Sequence, residues 1–379
     1  MGRKTLLAAC ALFLPALLVA EDRKKDSGPS EKTSTDWPIF RGNPLQTGVA
    51  GSSLPDKLTV RWKFKAKDAI EGSAAIVNGF VYVGSMDGNL YALDLASGKT
   101  KWTYKAGPIK GGPSVHGDNV YVGDVDGMFH CVYVATGKKR WTFDAGAEVT
   151  SGGNFSEDTV IFGSYDENLH CLSKEGKELW KVNVPGGPVL ASPVVAAGRT
   201  FCSGCDSTLH VIDTKTGKEL SSVQLDGQTG ASAAVVGDDL FIGTMSNQML
   251  AIDLKKQAVK WKYEPEDNPQ PYFSSPAVTS DLVIVGSRDK KIHAFNRLTG
   301  KQAWEFATQG KVDSSPVVAG KVVFVGSSDG NLYGLDAARG TQVQKFNLGG
   351  PITASPAVGG NCLLIGTQNG VLYCFGKEE

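Results

Sequence analysis

The sequence predicts an all-β protein, an eight-bladed β-propeller of four-stranded antiparallel blades whose last blade is closed by strands from both termini. A motif recurs about every 40 residues, the apolar segments are short and rich in β-formers, and 46 glycines separate them without a triplet period. A four-stranded unit cannot bury both of its faces alone. Eight such units are therefore expected to stack around an axis and share their interfaces.

Two alignment positions mark the central hairpin of each repeat. A glycine ends a β-rich segment, with spacings of 39 to 43 residues between repeats, and a short polar residue follows three positions later. Such residues favour tight hairpin turns, so we interpret them as structural rather than as calcium loops. The glycine position holds Gly84, Gly123, Gly163, Ser203, Gly243, Gly286, Gly326 and Gly366, and the polar position holds Asp87, Asp126, Asp166, Asp206, Ser246, Asp289, Asp329 and Asn369.

A third position, near the end of each unit, is a tryptophan in six units and Ser221 or Gln344 in two. The eighth unit stops at Phe375, whereas Trp62 lies 40 residues before Trp102. The N-terminal strand should therefore complete the last blade, which gives a propeller spanning 58–376. A large ring with one N–H donor suits the docking of a blade on its neighbour. The six expected docking residues are Trp62, Trp102, Trp141, Trp180, Trp261 and Trp304.

The segments GSMDGNLYALDLASGKTKW at 84–102 and GSSDGNLYGLDAARG at 326–340 resemble the quinoprotein-type, or PQQ-like, propeller repeat. This resemblance implies the same fold and the same docking role for the tryptophans. DWPIFRGNPLQTG, which begins at Asp36, resembles a leader that precedes such propellers in secreted bacterial proteins. We assign this leader segment to 37–57.

The N-terminus has the pattern of a secretory signal peptide at 1–20, followed by a disordered linker at 21–36. Arg3 and Lys4 precede an apolar segment from Leu6 to Ala20, and a polar segment follows. We expect cleavage near Ala20, a periplasmic or secreted protein, and no membrane span after cleavage; an uncleaved anchor is the alternative. LAAC, ending at Cys10, fits a lipoprotein box poorly because the apolar region continues past it.

Charge and metal-ligand patterns exclude two classes of function. Lysine plus arginine and aspartate plus glutamate both number 39, so no net charge attracts nucleic acid. Equivalent residues of neighbouring blades should stand on the order of 10 Å apart, too far to share one zinc ion. We therefore expect no metal site from the four histidines that share a position with tyrosines, which are His130, His170, His210 and His293.

Export permits disulfides without requiring them. Cys202 and Cys205 could form a strained local bridge, and Cys362 could meet Cys374 across the last hairpin. Both pairings remain open at this stage.

Candidate functional residues are sought where the repeat varies. The longest departure, YEPEDNPQPYFSS at 263–275, combines acids with aromatics and suggests a partner-binding loop. A tolerated insertion without a role is the alternative. The loop candidates are Glu264, Glu266, Asp267, Tyr272 and Phe273, and the candidates for a funnel rim over the axis, two residues before each innermost strand motif, are Glu71, Lys110 and Asp313, together with Thr150, Leu190, Thr229, Phe273 and Thr353.

Two functions follow from the resemblance. Quinone-cofactor dehydrogenases with this repeat hold pyrroloquinoline quinone and calcium over the axis, but they carry long insertions and a vicinal cysteine pair that this sequence lacks. The size, export signal and blade count resemble the BamB family of outer-membrane assembly lipoproteins, although a convincing lipidated cysteine is missing. We therefore predict a monomeric, noncatalytic scaffold for a protein partner in the envelope, with no cofactor and no catalytic residue. The dehydrogenase is the alternative.

Overall fold

A computed structural model of the chain describes residues 1–2, 35–265 and 269–377. The fold lies within the compact unit Ser34–Glu379. The predicted signal peptide and nearly all of the predicted linker lie outside the described residues, as do Glu266 and Asp267. Within the described residues, no helix is long and apolar enough to cross a membrane.

The described residues form eight separate four-stranded antiparallel sheets, each of which is one blade. The strands of blades 1 to 4 are, in chain order, β2 (Ala75–Val77), β3 (Phe80–Ser85), β4 (Asn89–Asp94), β5 (Thr100–Lys105), β6 (Ser114–His116), β7 (Asn119–Gly123), β8 (Met128–Tyr133), β9 (Lys139–Asp144), β10 (Asn154–Ser156), β11 (Thr159–Gly163), β12 (Asn168–Ser173), β13 (Glu178–Asn183), β14 (Val194–Ala196), β15 (Arg199–Ser203), β16 (Thr208–Asp213) and β17 (Glu219–Gln224).

The strands of blades 5 to 8 follow the same order, except that the first strand of the chain belongs to the last blade. They are β18 (Ala234–Val236), β19 (Asp239–Gly243), β20 (Met249–Asp253), β21 (Ala258–Tyr263), β22 (Ala277–Val278), β23 (Leu282–Gly286), β24 (Lys291–Asn296), β25 (Gln302–Ala307), β26 (Val317–Ala319), β27 (Val322–Gly326), β28 (Asn331–Asp336), β29 (Gln342–Asn347), β30 (Ala357–Gly359), β31 (Cys362–Gly366), β32 (Val371–Gly376) and β1 (Thr59–Lys65).

The predicted ring closure is confirmed. Blade 8 has the strand order β1-β32-β31-β30, and Trp62 of β1 lies opposite Cys374 of β32. The second strand of a blade, such as β7, is buried along its whole length between neighbouring blades. The outer strands, such as β9, alternate between half-buried and exposed residues, which is the pattern of a strand with one packed face.

Each of the six tryptophans contacts the turn between the third and fourth strands of the next blade. The indole Nε1 donates a hydrogen bond to a backbone carbonyl there, for example from Trp62 to Leu95 at 2.8 Å and from Trp304 to Ala337 at 3.0 Å. A glycine with positive φ lies under each ring. A larger residue would clash there, since its Cβ atom would stand 2.5 to 2.7 Å from the nearest atom of the indole. The pairs are Trp62–Gly98, Trp102–Gly137, Trp141–Gly176, Trp180–Gly217, Trp261–Gly300 and Trp304–Gly340.

The interface between blades 4 and 5 lacks both members of this pair. Ser221 takes the tryptophan position, and Gln257, with φ of 54°, takes the glycine position in the next blade. A side chain at 257 would occupy the space that an indole fills at the other interfaces. The two substitutions are therefore compatible with each other, and each alone would disturb the usual contact.

Hydrogen bonds within a blade hold the turn aspartates and the four histidines, and His130 Nδ1 also lies 3.0 Å from the Tyr104 hydroxyl of the preceding blade. Asp87 accepts hydrogen bonds from the Lys67 and Asn89 amides and from the Tyr91 hydroxyl. His293 Nε2 lies 2.8 Å from Asp289, and His130 Nε2 lies 2.7 Å from Asp124. No group of three or more metal-ligating side chains is present among the residues that the structure describes. These side chains fix the hairpin turns.

All six cysteines of the described residues are free thiols. Cys362 and Cys374 do meet across the last hairpin, where the thiols are hydrogen-bonded and Arg61 donates to Cys362 Sγ at 3.4 Å. The bond from Cys374, aided by Arg61, lowers the pKa of Cys362 despite its burial.

The leader lies across the ends of the innermost strands and contacts every blade. Trp37 pairs with Ile76 of blade 1, and the Val195 and Val235 amides of blades 4 and 5 donate to the Pro44 and Leu45 carbonyls. Blades 8, 2, 3, 6 and 7 bond in turn to Thr35, Pro38, Pro44, Thr47 and Gly48. The leader therefore ties all eight blades together on one face of the ring.

We expect the substitutions Ser221→Trp and Gln257→Gly to be coupled. Ser221→Trp alone should give little stability, because the Gln257 side chain stands in the way of the new indole. Together the changes should recreate the contact found at six other interfaces, with about 1 kcal/mol or more of favourable coupling. Urea unfolding of the four proteins of the cycle measures this coupling, and strictly additive free energies of unfolding would contradict the proposed contact.

We also expect stability to fall in acid. At five aspartates in the hairpin turns, burial alone would raise the pKa, yet hydrogen bonds hold it below its usual value; these are Asp87, Asp124, Asp166, Asp289 and Asp329. The stabilisation is therefore complete above the unfolded-state pKa, about 4, and is lost as the pH falls through the lower folded-state values. Tyr333→Phe, which removes a 2.7 Å bond to Asp329, should flatten this dependence in denaturation curves measured from pH 7 to 2. Tyr165→Phe is the control, and an unchanged slope in Tyr333→Phe would contradict the assignment.

Candidate functional site

The loops that lead into the innermost strands, here called the axial loops, lie on the face opposite the leader. They bond to the hairpin turns: Met86 donates to the Ala69 carbonyl and Ile109 donates to the Ser85 carbonyl. Thr35 and Asp36, directly before the leader, instead bond to the turns after the innermost strands, where the Asn78 amide donates to Asp36 and the Gly360 amide to Thr35. The axial face is therefore left uncovered by the leader.

A cavity of about 170 Å³ lies where the axial loops converge. Its walls come from all eight blades, and Phe40 of the leader contributes to its lining. The cavity thus lies between the leader on one side and the axial loops on the other.

Serine hydroxyls join the blades around this cavity. The backbone amide of one blade donates to the serine Oγ of the next, as from Ser192 to Ser232 at 2.8 Å and from Ser275 to Ser315 at 2.9 Å. The chain of bonds runs from Gly152 through Ser192, Ser232, Ser275 and Ser315 to Ser355. In blades 3 to 8, this serine belt fixes the backbone two residues after the rim position, so the rim side chains of these blades take no part in it.

The structure brings the three charged rim candidates together. Glu71, Lys110 and Asp313 all line the axial cavity, together with Thr150, Leu190 and Phe273. The alignment at blade 5 is wrong by one residue, because Gly230 and not Thr229 lines the cavity. Thr229 is buried instead, with its hydroxyl 2.7 Å from Ser203 Oγ.

Arg288 is a rim residue that the sequence reasoning missed. Its guanidinium donates to both carboxylate oxygens of Asp313, at 2.8 and 3.0 Å, and lies 3.9 Å from the centre of the Phe273 ring. The sequence does distinguish this residue, because Arg288 is the only cation found at the position before the turn aspartate in the eight repeats. Arg288, Asp313 and Phe273 form one preorganised cluster at blades 6 and 7.

The loop at 263–275 is not a set of exposed aromatics, which corrects the prediction for Tyr272. Tyr272 is 1% exposed and packs over Gly243. It occupies the position that Ile109 and Val312 hold in blades 2 and 7, where an apolar side chain covers the strand glycine. Glu264 accepts a bond from Gln248 and pairs with Lys262 at 3.4 Å. Of the three loop candidates that the structure describes, Phe273 lines the axial cavity, whereas Glu264 and Tyr272 do not.

The axial residues fit a quinone cofactor with calcium poorly. A volume of about 170 Å³ falls below the roughly 300–1,000 Å³ of most ligand pockets. Calcium takes six to eight oxygen ligands, whereas the carboxylates at the rim are Glu71 and Asp313, and Asp313 is engaged by Arg288. Among the described residues of the lining, the buried side-chain polar atom without a partner is Ser73 Oγ, a neutral hydroxyl.

The proteins that this chain resembles include both BamB proteins and quinohemoprotein dehydrogenases. The BamB of Salmonella typhimurium is 30% identical over 275 residues, 67% of each chain, and the BamB of Burkholderia pseudomallei is 25% identical over 131 residues, 34% of this chain and 33% of that protein. The quinohemoprotein alcohol dehydrogenase ADH IIB of Pseudomonas putida is 27% identical over 137 residues, 31% of this chain and 20% of the enzyme. The chain thus spans one third or less of the length of the last two relatives.

A crystal structure of BamB from Moraxella catarrhalis has the same fold, with a TM-score of 0.73 at 22% identity over 85% of this chain and 98% of that one. The family model described as outer membrane protein assembly factor BamB matches residues 56–149, 127–270 and 267–368. Because these matches together run through nearly the whole ring, the chain belongs to that family.

Proposed function

We propose that the protein is a noncatalytic scaffold of the bacterial cell envelope that binds a protein partner with its axial face. The observation that carries this proposal is the cluster of Arg288, Asp313 and Phe273 beside Glu71 and Lys110 at the rim of a cavity too small for a typical ligand. Arginine and aromatic residues dominate the binding energy of protein interfaces. Family membership supports a partner in the envelope, since the relatives are named as outer membrane assembly factors.

The charges at the rim favour recognition by a protein with a mixed surface. The rim carries two acids, Glu71 and Asp313, and two cations, Lys110 and Arg288, the last of which is bonded to Asp313. A balanced pattern gives little general attraction to polyanions, but it fixes orientation when the partner carries the complementary pattern. The serine belt holds the loops in place, so little ordering entropy opposes association.

The residues that usually perform acid-base chemistry are engaged elsewhere. His130, His170, His210 and His293 each bond to an aspartate of their own blade and lie in the third strands, outside the lining of the axial cavity. This arrangement supports a noncatalytic role.

We expect a photoreactive phenylalanine analogue at Lys110 to crosslink the partner in cells that make the full chain. The same analogue at Lys99, on an exposed turn of the opposite face, is the control position. A discrete crosslinked species from position 110 and none from position 99 supports the axial face. Equal crosslinking from both faces, or crosslinking from position 99 alone, would contradict it.

We expect Arg288→Met to weaken this crosslink about tenfold while changing stability by no more than about 1 kcal/mol, since the pair with Asp313 is partly exposed. Methionine keeps the contact with Phe273 and removes the charge and the two hydrogen bonds. Arg297→Met, which removes an arginine that contacts Asp239 away from the axis, is the matched control. Crosslink yield and urea unfolding are measured for both variants, and equal crosslinking by Arg288→Met and the parent protein would remove Arg288 from the interface.

The dehydrogenase alternative is favoured by the match to the quinohemoprotein enzyme. Calorimetric titration with pyrroloquinoline quinone and calcium, followed by a dye-reduction assay with alcohols, separates the two functions. We expect no stoichiometric binding, and tight binding with dye reduction would overturn the scaffold proposal.

A further inference from the structure

A second pocket lies at the seam where the ring closes, away from the axial face. It encloses about 580 Å³ and lies between blade 7 and residues 53–58, which lead into β1. This volume is within the range of specific ligand pockets. Its apolar lining comes from Leu54, Val322, Phe324, Val343 and Phe346.

The pocket exists because the seam cannot use the contact found at most other blade interfaces. The third and fourth strands of blade 8, β32 and β1, come from opposite ends of the chain. No turn therefore joins them, and a tryptophan of blade 7 would have no turn to contact. Gln344 stands at the tryptophan position, and its Nε2 donates to the Asp56 carbonyl at 2.8 Å, as indoles donate elsewhere. The smaller glutamine leaves the volume of an aromatic ring partly unfilled.

The polar groups that line this seam pocket can bind a hydrogen-bond donor and an anion. Gln344 Oε1 is buried without a hydrogen-bond partner, so it can accept a bond from an N–H group. Lys57 and Lys321 line the same pocket, and neither pairs with a carboxylate within the described part of the chain. Lys345 also contributes to the lining, but its ammonium lies 5.2 Å from the centre of the Tyr333 ring. The single acid in the lining is Asp56.

From this geometry we infer that the seam pocket binds an acidic peptide segment of a partner through one tryptophan side chain. The indole would lie against Val322, Phe324 and Phe346 and donate its N–H to Gln344 Oε1. Flanking carboxylates would meet Lys57 and Lys321. The inference does not depend on the axial face, so each can fail without the other.

The test is calorimetric titration of the full mature chain with the blocked peptide acetyl-Asp-Glu-Trp-Glu-Asp-amide at low salt. Replacing its tryptophan by alanine should weaken binding about tenfold or more, because an aromatic side chain is no longer buried. The variant Lys57→Ala with Lys321→Ala should weaken binding and reduce its salt dependence. Lys181→Ala, at an exposed lysine of outer strand β13, is the matched control and should bind as the parent does.

Gln344→Trp supplies the decisive variant, because its own indole should fill the pocket and abolish peptide binding while unfolding stability is retained or raised. Equal binding of the tryptophan and alanine peptides, or full binding by Gln344→Trp, would overturn the inference. Decanoate serves as a further probe. If decanoate binds in the pocket and the peptide does not, the site takes free amphiphilic carboxylates and the peptide inference is wrong.

Discussion

The contact on which the ring depends is the seating of an indole over a glycine of the next blade. It joins three requirements at one point: apolar area is buried between blades, the indole N–H finds a carbonyl, and the positive φ of the glycine permits the close approach. The serine belt repeats the same principle near the axis, where an amide of one blade meets a hydroxyl of the next. Cohesion between blades thus comes from a few directional bonds within a large apolar interface.

The same constraint explains where the pattern changes. Ser221 and Gln257 depart together because an indole and a side chain cannot share one space. Ser203 and Thr229 also depart together: the strand glycine of other blades is covered by an apolar residue, and here two hydroxyls bond at 2.7 Å instead. At the seam, residues 53–58, where the leader meets the propeller, replace a turn, and Gln344 replaces the indole. Where two residues depart from the repeat together and still contact each other, the change is explained by packing. A departure without such a partner is a candidate for function.

The repeat was enough to predict the blades, their strand order and the closure by Trp62, because each depends on residues that recur at fixed spacing. The prediction for Tyr272 was wrong, because the insertion shifts the local spacing and Tyr272 aligns with Ile109 and Val312, which are buried. The repeat placed the rim one residue away at blade 5, where Gly230 is the residue that lines the cavity. Arg288 and the seam pocket arise from distant segments that meet only in the folded ring, and spacing alone does not predict such contacts.

In this ring, the residues that join neighbouring blades are distinct from the rim residues that can vary. The belt serine and the buried residue on either side of a rim position are both committed to neighbouring blades, so the backbone at that position stays fixed whichever side chain it carries. Glutamate, lysine, leucine, phenylalanine and aspartate can therefore occupy equivalent positions without loss of the fold. Because binding energy depends on such preorganised side chains rather than on buried area alone, one propeller frame can serve different partners through substitutions at its rim.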